Sequence, residues 1–363
     1  MSEKFDASQL RRGWTTGACA TAASKAAYAA LLTGHFPDPV PITLPSGAEV
    51  DFALAQHEMG EGFARAGIVK DAGDDPDVTH GALVLAKVRF GPKGSGVQFR
   101  AGAGVGTVTR PGLPLAVGEP AINPVPRAMM TRAIAEVAQA LGANGDVVIE
   151  ISIPDGEQLA ERTLNGRLGI IGGLSILGTT GIVVPFSCAA WINSIHRGID
   201  VAKGMGLTHI AGSTGSTSES AVQKLYHLPE QALIDMGDFV GGMLKYIRKH
   251  PVEVITIAGG MGKMTKLGQG LLDLHSRRGE VDLNWLADLA PDAALAASIR
   301  AANSAKHAFE LADAAQFDLA PLVAARAWDT AAKALQNMPC TLEIVIFNRD
   351  GALLARYQAE VEG

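Results

Sequence analysis

The spacing of apolar residues predicts two kinds of domain along the chain. In the first half, Thr15 or Thr16 is expected to cap an alanine-rich helix over residues 18–32 that stops at Gly34. Alternating apolar residues then predict strands. The predicted strands cover residues 40–44, 48–55, 63–70, 82–90, 97–100 and 146–153, and a second helix covers residues 126–141. Strands interrupted by two helices indicate an α+β domain.

A different order recurs from about residue 156, where short apolar strands end in glycine and helices follow. Strand, glycine loop and helix occur three times, which predicts an open parallel sheet with crossover helices. The strands are predicted at 168–171, 207–211 and 252–258, the helices at 186–205, 218–226, 238–250 and 266–275, and further helices and a closing hairpin at 283–357. The expected fold class is therefore α/β, with an α+β domain over residues 1–160 and a Rossmann-like domain over residues 161–363.

Composition narrows the functional classes. The chain has 363 residues, of which 47% are apolar and 19% charged, so it can bury a sizeable core. Its formal charge of −6 and its lack of a basic run argue against general nucleic-acid binding. The cysteines Cys19, Cys188 and Cys340 lie too far apart for a zinc motif or disulfide framework. With neither a signal peptide nor a membrane-spanning stretch in the sequence, we expect a cytoplasmic protein without membrane contact. Homo-oligomer formation is left open.

Three glycine-rich segments, at residues 172–181, 212–215 and 259–262, follow the predicted strands of the second domain. In an open parallel sheet they would meet at the carboxyl edge, where ligands bind at the point at which the strand order reverses. One such loop is usually a tight turn, but three in succession favour a ligand site. The dinucleotide motif G-x-G-x-x-G follows no strand, and Ile257 and Met264 break the phosphate-loop motif before and after Gly262-Lys263. The sequence also predicts no protein-bound catalytic metal.

The densest polar segment is residues 70–81, with four carboxylates and one histidine. Carboxylates this close repel each other, so a raised pKa could make one of them a base. A solvated turn, in which aspartate and glycine satisfy the backbone, is the slightly favoured alternative. Residues 102–110 form a further glycine segment with the nearby Arg110, which is a weak signal for anion binding.

Five segments together resemble the CbiD family, the cobalt-precorrin-5B (C1)-methyltransferases of cobalamin biosynthesis. They are LRRGWTTGACA at 10–20, DAGDDPDVT at 71–79, AINPVPR at 121–127, GGLSILGTTGIVVPFS at 172–187 and HSR at 275–277. The sequence departs from the family pattern in three places. They are residues 237–239, where Asp238 replaces an expected asparagine, the looser glycine–lysine loop at 259–263, and the segment after Arg277.

The resemblance implies methyl transfer from S-adenosylmethionine to carbon 1 of a cobalt-containing corrin precursor, giving cobalt-precorrin-6A. It also implies a first domain similar to the second domain of ribosomal protein S5 and a Rossmann-like second domain. Cobalt would arrive with the substrate. The cofactor would be bound by the glycine loops, and the residues proposed for it are Gly172, Gly173, Ser175, Gly178, Thr179, Thr180, Gly181, Gly259, Gly260 and Lys263.

The substrate carries many carboxylates, so its site should present cations and hydroxyls. The candidates for this role are Arg11, Thr15, Thr16, Lys70, Arg110, Arg127 and Arg167, while His80 or Asp71 would manage a proton. Two other functions are compatible with the sequence. One is a small-molecule kinase with an S5-like domain and a glycine loop at residues 102–106, which would bind ATP with magnesium. The other is a tetrapyrrole carrier, which would bind a corrinoid without transferring a methyl group.

Overall fold

The computed structural model describes residues 10–336 and 338–359. The chain divides into two compact units, Met1–Ser187 and Cys188–Gly363. Across the described residues, no helix combines the length and apolar character needed to cross a membrane.

The first unit is built on a five-stranded sheet with two long helices. Its helices are α1 (Thr16–Thr33), α2 (Pro124–Leu141) and α3 (Gly156–Ala160). Its strands are β1 (Gly13–Trp14), β2 (Val40–Thr43), β3 (Glu49–Phe52), β4 (Gln56–Gly60), β5 (Phe63–Val69), β6 (Leu83–Phe90), β7 (Val97–Ala101), β8 (Gly104–Val105), β9 (Thr107–Val108), β10 (Val147–Ser152), β11 (Ile170–Ile171), β12 (Gly173–Leu174) and β13 (Ile182–Val183). The sheet order is β4-β5-β6-β10-β7, antiparallel except for the parallel pair β10 and β7.

Helix α1 runs through the centre of this unit and is buried on nearly all sides. Its many alanines let it pack closely against β5, β6 and α2, which is why the helix is apolar all round rather than amphipathic. Thr15 Oγ1 accepts a hydrogen bond from the amide of Ala18 (3.2 Å), and Gly34 closes the helix in the left-handed conformation. Both predicted ends of the helix are therefore confirmed.

The first unit extends beyond the boundary expected at residue 160. β11 pairs with β9, β12 with β8, and β13 with β1. These short ladders attach the segment up to Ser187 to the first unit, so the expected division between residues 160 and 161 differs from the one in the structure. The run at 168–171, expected to be a parallel strand of the second domain, is instead the antiparallel strand β11 of the first.

The second unit is an open, mostly parallel sheet with helices on both faces. Its strands are β14 (His209–Ser213), β15 (Leu233–Asp235), β16 (Val254–Gly260), β17 (Thr341–Phe347) and β18 (Leu353–Tyr357). Its helices are α4 (Cys188–Gly204), α5 (Ser216–Tyr226), α6 (Val240–Ile247), α7 (Met261–Gly268), α8 (Leu283–Ala287), α9 (Ala293–Arg300), α10 (Ala305–Ala314) and α11 (Ala320–Leu335), with a 3-10 turn at Glu230–Ala232. The sheet order is β15-β14-β16-β17-β18, and β18 is the antiparallel strand.

The order of these strands creates a switch point. From β14 the chain crosses through α5 to β15 on one side, and then through α6 to β16 on the other side of β14. The carboxyl ends of β14 and β16 therefore flank the crevice where open α/β sheets bind ligands.

The α/β fold class is confirmed, and the differences from the sequence prediction lie in short elements. Seven strands were missed. They are the exposed polar edge strand β4, the three-residue edge strand β15 and the two-residue strands β1, β8, β9, β12 and β13. The helix expected at 266–275 begins earlier and ends at Gly268, because glycines at 268 and 270 favour a turn there.

Candidate functional site

The loops that follow β14 and β16 adjoin at the switch point of the second unit. Ser213 is the register partner of Ala258, and the amide of Thr214 donates to the carbonyl of Ala258 (3.0 Å). A Cβ added at Gly259 would lie 2.9 Å from Thr214 Oγ1. Two of the three predicted glycine segments thus form one continuous edge.

The hydroxyl of Ser213 is buried at this edge without a protein partner. Ser213 is 1% exposed, and its Oγ finds no hydrogen-bond partner among the described residues. Ala211 packs with Val222 of α5, and alternate residues of a strand face the same side, so Ser213 faces the first turn of α5. Burying an unpaired hydroxyl costs free energy. The position therefore suits the polar group of a ligand.

Two helices begin at the same edge, each directly after a glycine. Gly215 precedes α5 and Gly260 precedes α7, and within the described residues neither helix start has a side-chain cap. The first amides of a helix favour an anionic or strongly polar group. An added Cβ at Gly215 or Gly262 would meet no heavy atom of the described residues within 4 Å. The backbone is therefore open to approach.

Lys263 is held by the structure around α7. Its Nζ forms an ion pair with Asp238 and donates to the carbonyl of Leu274 (3.4 Å). Lys266 Nζ donates to the same carbonyl (3.2 Å). These contacts tie α7 to the segment before His275, so the lysine predicted to bind the cofactor serves first to position the helix that carries Gly260.

The glycine loop at residues 172–181 lies in the first unit, so its predicted place at the edge of the parallel sheet is wrong. A Cβ at Gly173 would lie 2.7 Å from the amide nitrogen of Val105, and one at Gly181 would lie 2.6 Å from Leu44 Cδ2. The lack of a side chain at these two glycines lets backbone and side-chain atoms of the first unit approach closely. Gly172 is exposed, with open space around its Cα.

The hydroxyls of this loop are partly used by local hydrogen bonds. Ser175 is 8% exposed, and its Oγ lies 3.4 Å from Asn165 Oδ1. Thr180 Oγ1 accepts from the amide of Ile182 (3.2 Å) and donates to its carbonyl (3.1 Å). Thr179 is exposed. Ser175 and Thr180 therefore stabilise the loop itself.

The first turn of α1 is closed by the same loop. Thr16 Oγ1 accepts from the amide of Leu177 (3.0 Å) and donates to its carbonyl (3.3 Å), while the amide of Gly17 donates to that carbonyl (2.9 Å). Thr15 caps the helix and is 6% exposed. Both threonines, predicted as substrate contacts, are buried in internal hydrogen bonds.

Asp71, predicted as a proton carrier, is an ion-pair partner. Arg11 binds it in a two-pronged arrangement (Nη2–Oδ1 2.9 Å), and the amide of Gly73 donates to Oδ1 (2.9 Å). The hydrogen bond from Arg11 and then that from Gly73 lower the pKa of Asp71 from 3.8 to about 2. A carboxyl group this acidic is a poor general base at neutral pH.

Lys70 and Asp77 form a second, buried pair (Nζ–Oδ2 2.6 Å), with the lysine side chain 1% exposed. Thr79 donates to Asp77 from its amide (2.7 Å) and its hydroxyl (2.6 Å). Burial raises the pKa of Asp77, but the charge and hydrogen bond of Lys70 and the bonds from Thr79 outweigh it and lower the pKa. The expectation of raised carboxyl pKa values is wrong for Asp71 and Asp77, because each has a cationic partner.

His80 is the more accessible of the two proton candidates. Its Nδ1 accepts the amide hydrogen of Ala72 (3.1 Å), so the neutral ring carries its proton on Nε2. Nδ1 also lies 3.9 Å from Asp71 Oδ1, and the side chain is 53% exposed. Nε2 is therefore the atom able to exchange a proton with a ligand.

The arginines predicted for the substrate make local contacts. Arg127 donates to the carbonyls of Ile122 (2.7 Å) and Pro120 (3.1 Å) and pairs with Glu119 (2.8 Å). Arg110 Nη1 donates to the carbonyl of Arg167 (3.3 Å). Arg127 thereby holds the segment that leads into α2.

The glycine segment at 102–106 is filled by its own unit. A Cβ at Gly104 would lie 2.9 Å from the amide of Gly156, and one at Gly106 would lie 2.5 Å from Ile170 Cγ2. Gly104 and Val105 form the strand β8. These two glycines therefore lie against neighbouring residues of the first unit, which does not support the glycine loop of the kinase alternative. Among the described residues, no group of three or more histidine, cysteine or acidic side chains could hold a metal ion.

Comparison with known proteins decides the family. Residues 3–185 match the family model described as CbiD, and residues 273–358 match the one described as CbiD, C-terminal domain. The chain is 64% identical over 355 residues to the "Cobalt-precorrin-5B C(1)-methyltransferase" of Agrobacterium fabrum, covering 97% of this chain and 94% of that protein. The chain belongs to the CbiD family. The resemblance carried by the five sequence segments is thereby confirmed.

Other relatives of this CbiD-family chain cover it to a similar extent. The protein of the same name from Bradyrhizobium sp. is 63% identical over 351 residues, covering 96% of this chain and 93% of that protein. A crystal structure of the cobalamin biosynthesis protein CbiD from Archaeoglobus fulgidus aligns with a TM-score of 0.40 and 29% identity, over 74% of this chain and 83% of that one. The first family match ends two residues before the boundary between the units at Ser187.

Sequence reasoning missed several residues at the edge of the second sheet. It noted the segment ending in Gly215 but assigned no role to Ser213 or Thr214, and it predicted no strand ending at Asp235. A signal for the first two was present, since Ser-Thr-Gly follows the apolar strand β14 directly. The burial of the Ser213 hydroxyl depends on the packing of α5 and could not be read from the sequence.

Proposed function

We propose that this CbiD-family chain is an S-adenosylmethionine-dependent methyltransferase that methylates carbon 1 of cobalt-precorrin-5B to give cobalt-precorrin-6A. The observation that carries the proposal is the identity of 64% and 63%, over almost the whole chain, to relatives that bear the name of this reaction. The open α/β unit with its ligand edge supports it.

The edge formed by β14 and β16 is our proposed site for S-adenosylmethionine. The buried, unpartnered Ser213 hydroxyl, the uncapped helix starts after Gly215 and Gly260, and the open space at Gly262 fit a ligand with carboxylate and hydroxyl groups. S-adenosylmethionine supplies a methyl group on an electrophilic sulfonium. Gly259 and Gly260 keep their predicted role, whereas we now assign the glycines at 173, 178 and 181 to packing within the first unit.

The amides at the two helix starts would hold the anionic end of the donor, and the Ser213 hydroxyl would form one fixed hydrogen bond. Such contacts orient a ligand without changing its charge, which suits a reaction that depends on alignment of the reacting atoms. Lys263 would act indirectly by positioning α7 through Asp238.

For the substrate we propose contacts in the first unit. Arg11 is a suitable carboxylate contact, because its side chain is 58% exposed and stays charged beside Asp71. Lys70, Thr15 and Thr16 are buried in internal contacts, so we propose structural roles for them. His80, through Nε2, remains our candidate for moving a proton.

The test is an anaerobic single-turnover reaction of the purified chain with cobalt-precorrin-5B and S-adenosylmethionine labelled in its methyl group. We expect one labelled methyl group in the corrinoid and an equal amount of S-adenosylhomocysteine, measured by mass spectrometry. Corrinoid binding without label transfer would support the carrier alternative instead. Binding of ATP with magnesium and none of S-adenosylhomocysteine, measured by calorimetry, would support the kinase alternative.

A further inference from the structure

The edge strand β15 ends in Asp235 at the same level as the buried serine. Asp235 is the register partner of Ser213, so the two residues lie side by side at the carboxyl edge and on the same face of the sheet. The Asp235 side chain is half-buried. A carboxylate therefore stands next to the Ser213 hydroxyl and the loop ending in Gly215.

The position of Asp235 relative to the glycine loop is one that open α/β sheets use for ligand binding. Asp235 follows the glycine loop at Gly215 by about twenty residues, through one helix and into the strand next to β14. In the dinucleotide-binding members of this fold class, an acidic residue at this place accepts a hydrogen bond from a ribose hydroxyl. The carboxylate is an acceptor-only group, which matches a pair of hydroxyl donors.

An aromatic ring is fixed to the backbone at the end of β15. Trp191 of α4 donates from its indole Nε1 to the backbone carbonyl of Asp235 (3.2 Å), and its ring lies 3.4 Å from a Cβ built at Gly237. The side chain is 45% exposed. A large, oriented and half-exposed ring offers a stacking surface for a purine next to a ribose site.

We propose that Asp235 binds the ribose hydroxyls of an adenosine-type ligand at the carboxyl edge of β14 and β15, with the purine beside Trp191. This inference rests on the proposed function, because it names the contacts of the methyl donor. The unpartnered, buried Ser213 hydroxyl is an independent sign that a ligand occupies this edge. The three residues come from different elements, β14, β15 and α4, and each of them lies at or contacts the carboxyl edge of the sheet.

The test is calorimetric binding of S-adenosylhomocysteine and of its 2′,3′-dideoxy analogue to the full chain. We expect Asp235→Asn to weaken binding of S-adenosylhomocysteine by about 10- to 100-fold, the range for hydrogen bonds to a charged group. Loss of the ribose hydroxyls should weaken binding to the wild type to a similar degree. The variant should then bind both ligands with nearly equal affinity. The control is Glu253→Gln, which alters an exposed carboxylate just before β16 at the opposite edge of the same sheet.

Two results would overturn the assignment of Asp235. The first is an Asp235→Asn variant that binds S-adenosylhomocysteine as tightly as the wild type does. The second is a variant that loses the same factor in affinity for S-adenosylhomocysteine and for the dideoxy analogue, because the carboxylate would then not contact the ribose hydroxyls. The comparison of the two ligands on the wild type does not depend on whether the variant folds, and equal wild-type affinity for both would also exclude a ribose contact. A wild-type chain that binds neither ligand would instead contradict the methyl donor of the proposed function, and the inference would fall with it.

Discussion

Gly178 packs directly against Thr15, the residue that caps helix α1. A Cβ at Gly178 would lie 2.6 Å from Thr15 Cγ2, and the glycine has φ of 128°, a conformation that other residues rarely adopt. The loop that carries Gly178 also closes the first turn of α1 through Leu177. The family segment at 172–187 therefore holds the central helix of the first unit in place.

Replacement of Gly178 should consequently affect folding rather than ligand binding. We expect Gly178→Val to lower the free energy of unfolding by about 3 kcal/mol or more, because it combines a steric clash with backbone strain. The measurement is urea unfolding followed by circular dichroism. Gly166→Ala is the control, since a Cβ there meets no described atom within 4 Å and we expect a change within about 0.5 kcal/mol. A stable Gly178→Val variant that had lost only its affinity for S-adenosylhomocysteine would return the loop to the donor site.

The glycine loop at residues 172–181 illustrates which features of the fold the sequence predicts and which it does not. Capping residues and an alanine-rich run predicted α1, and the alternation of apolar residues predicted the longer strands, because alternate residues of a half-buried strand face the core. It failed at residues 168–171, since a two-residue strand such as β11 is decided by its partner β9 and not by its own apolar character. Glycines that admit neighbouring backbone look the same in the sequence as glycines that admit a ligand.

The pair of Lys70 and Asp77 should be a major contributor to the stability of the first unit. We expect Lys70→Met to cost about 3 to 5 kcal/mol, because it leaves the partly buried Asp77 carboxylate without its cation. Adding Asp77→Asn to this variant should restore part of the loss. The control is Arg65→Met, which breaks an exposed pair with Glu58 and should cost about 1 kcal/mol or less. Equal effects of Lys70→Met and Arg65→Met in urea unfolding would contradict a special role for the buried pair.

The acidity of Asp71 sets a limit on its part in catalysis. Its folded-state pKa of about 2 lies below the ordinary 3.8, so the carboxylate is charged throughout the neutral range. Its contribution to stability is present above the ordinary pKa and is lost as the pH falls toward about 2. We expect Asp71→Asn to leave the shape of the profile of kcat against pH unchanged between about pH 5 and about pH 9. Disappearance of a limb of that profile in Asp71→Asn, but not in His80→Gln, would make Asp71 the proton carrier.

Arg127 should act on the structure around α2. We expect Arg127→Ala to lower the free energy of unfolding by about 2 to 3 kcal/mol, because two backbone carbonyls and Glu119 lose their charged donor. Arg132→Ala, on the same helix with an exposed pair to Glu136, is the matched control and should cost about 0.5 kcal/mol. Should Arg127→Ala keep its stability and lose affinity for the corrin precursor, the arginine would be a substrate contact as first predicted.

The candidate site was less predictable than the fold, because its decisive features are three-dimensional. The sequence identified Gly259 and Gly260, where glycine follows a β-branched strand. It could not identify Asp235, since β15 is three residues long and gains its place only by pairing with β14. The sequence identified Lys263 by its charge next to the glycine loop. It could not identify the ion pair of Lys263 with Asp238, because that contact depends on the packing of α7.

Ser213 offers a test that separates binding from stability. Its buried hydroxyl has no partner within the part of the chain that the structure describes, so Ser213→Ala should leave the Tm unchanged or raise it. The same change should weaken binding of S-adenosylhomocysteine by about 2- to 10-fold, the value of one neutral hydrogen bond. Ser218→Ala is the control, because Ser218 Oγ donates to the carbonyl of Gly215 (2.8 Å) and its loss should lower the Tm. A Ser213→Ala variant with a lower Tm and unchanged affinity would assign the hydroxyl to the fold and remove it from the donor site.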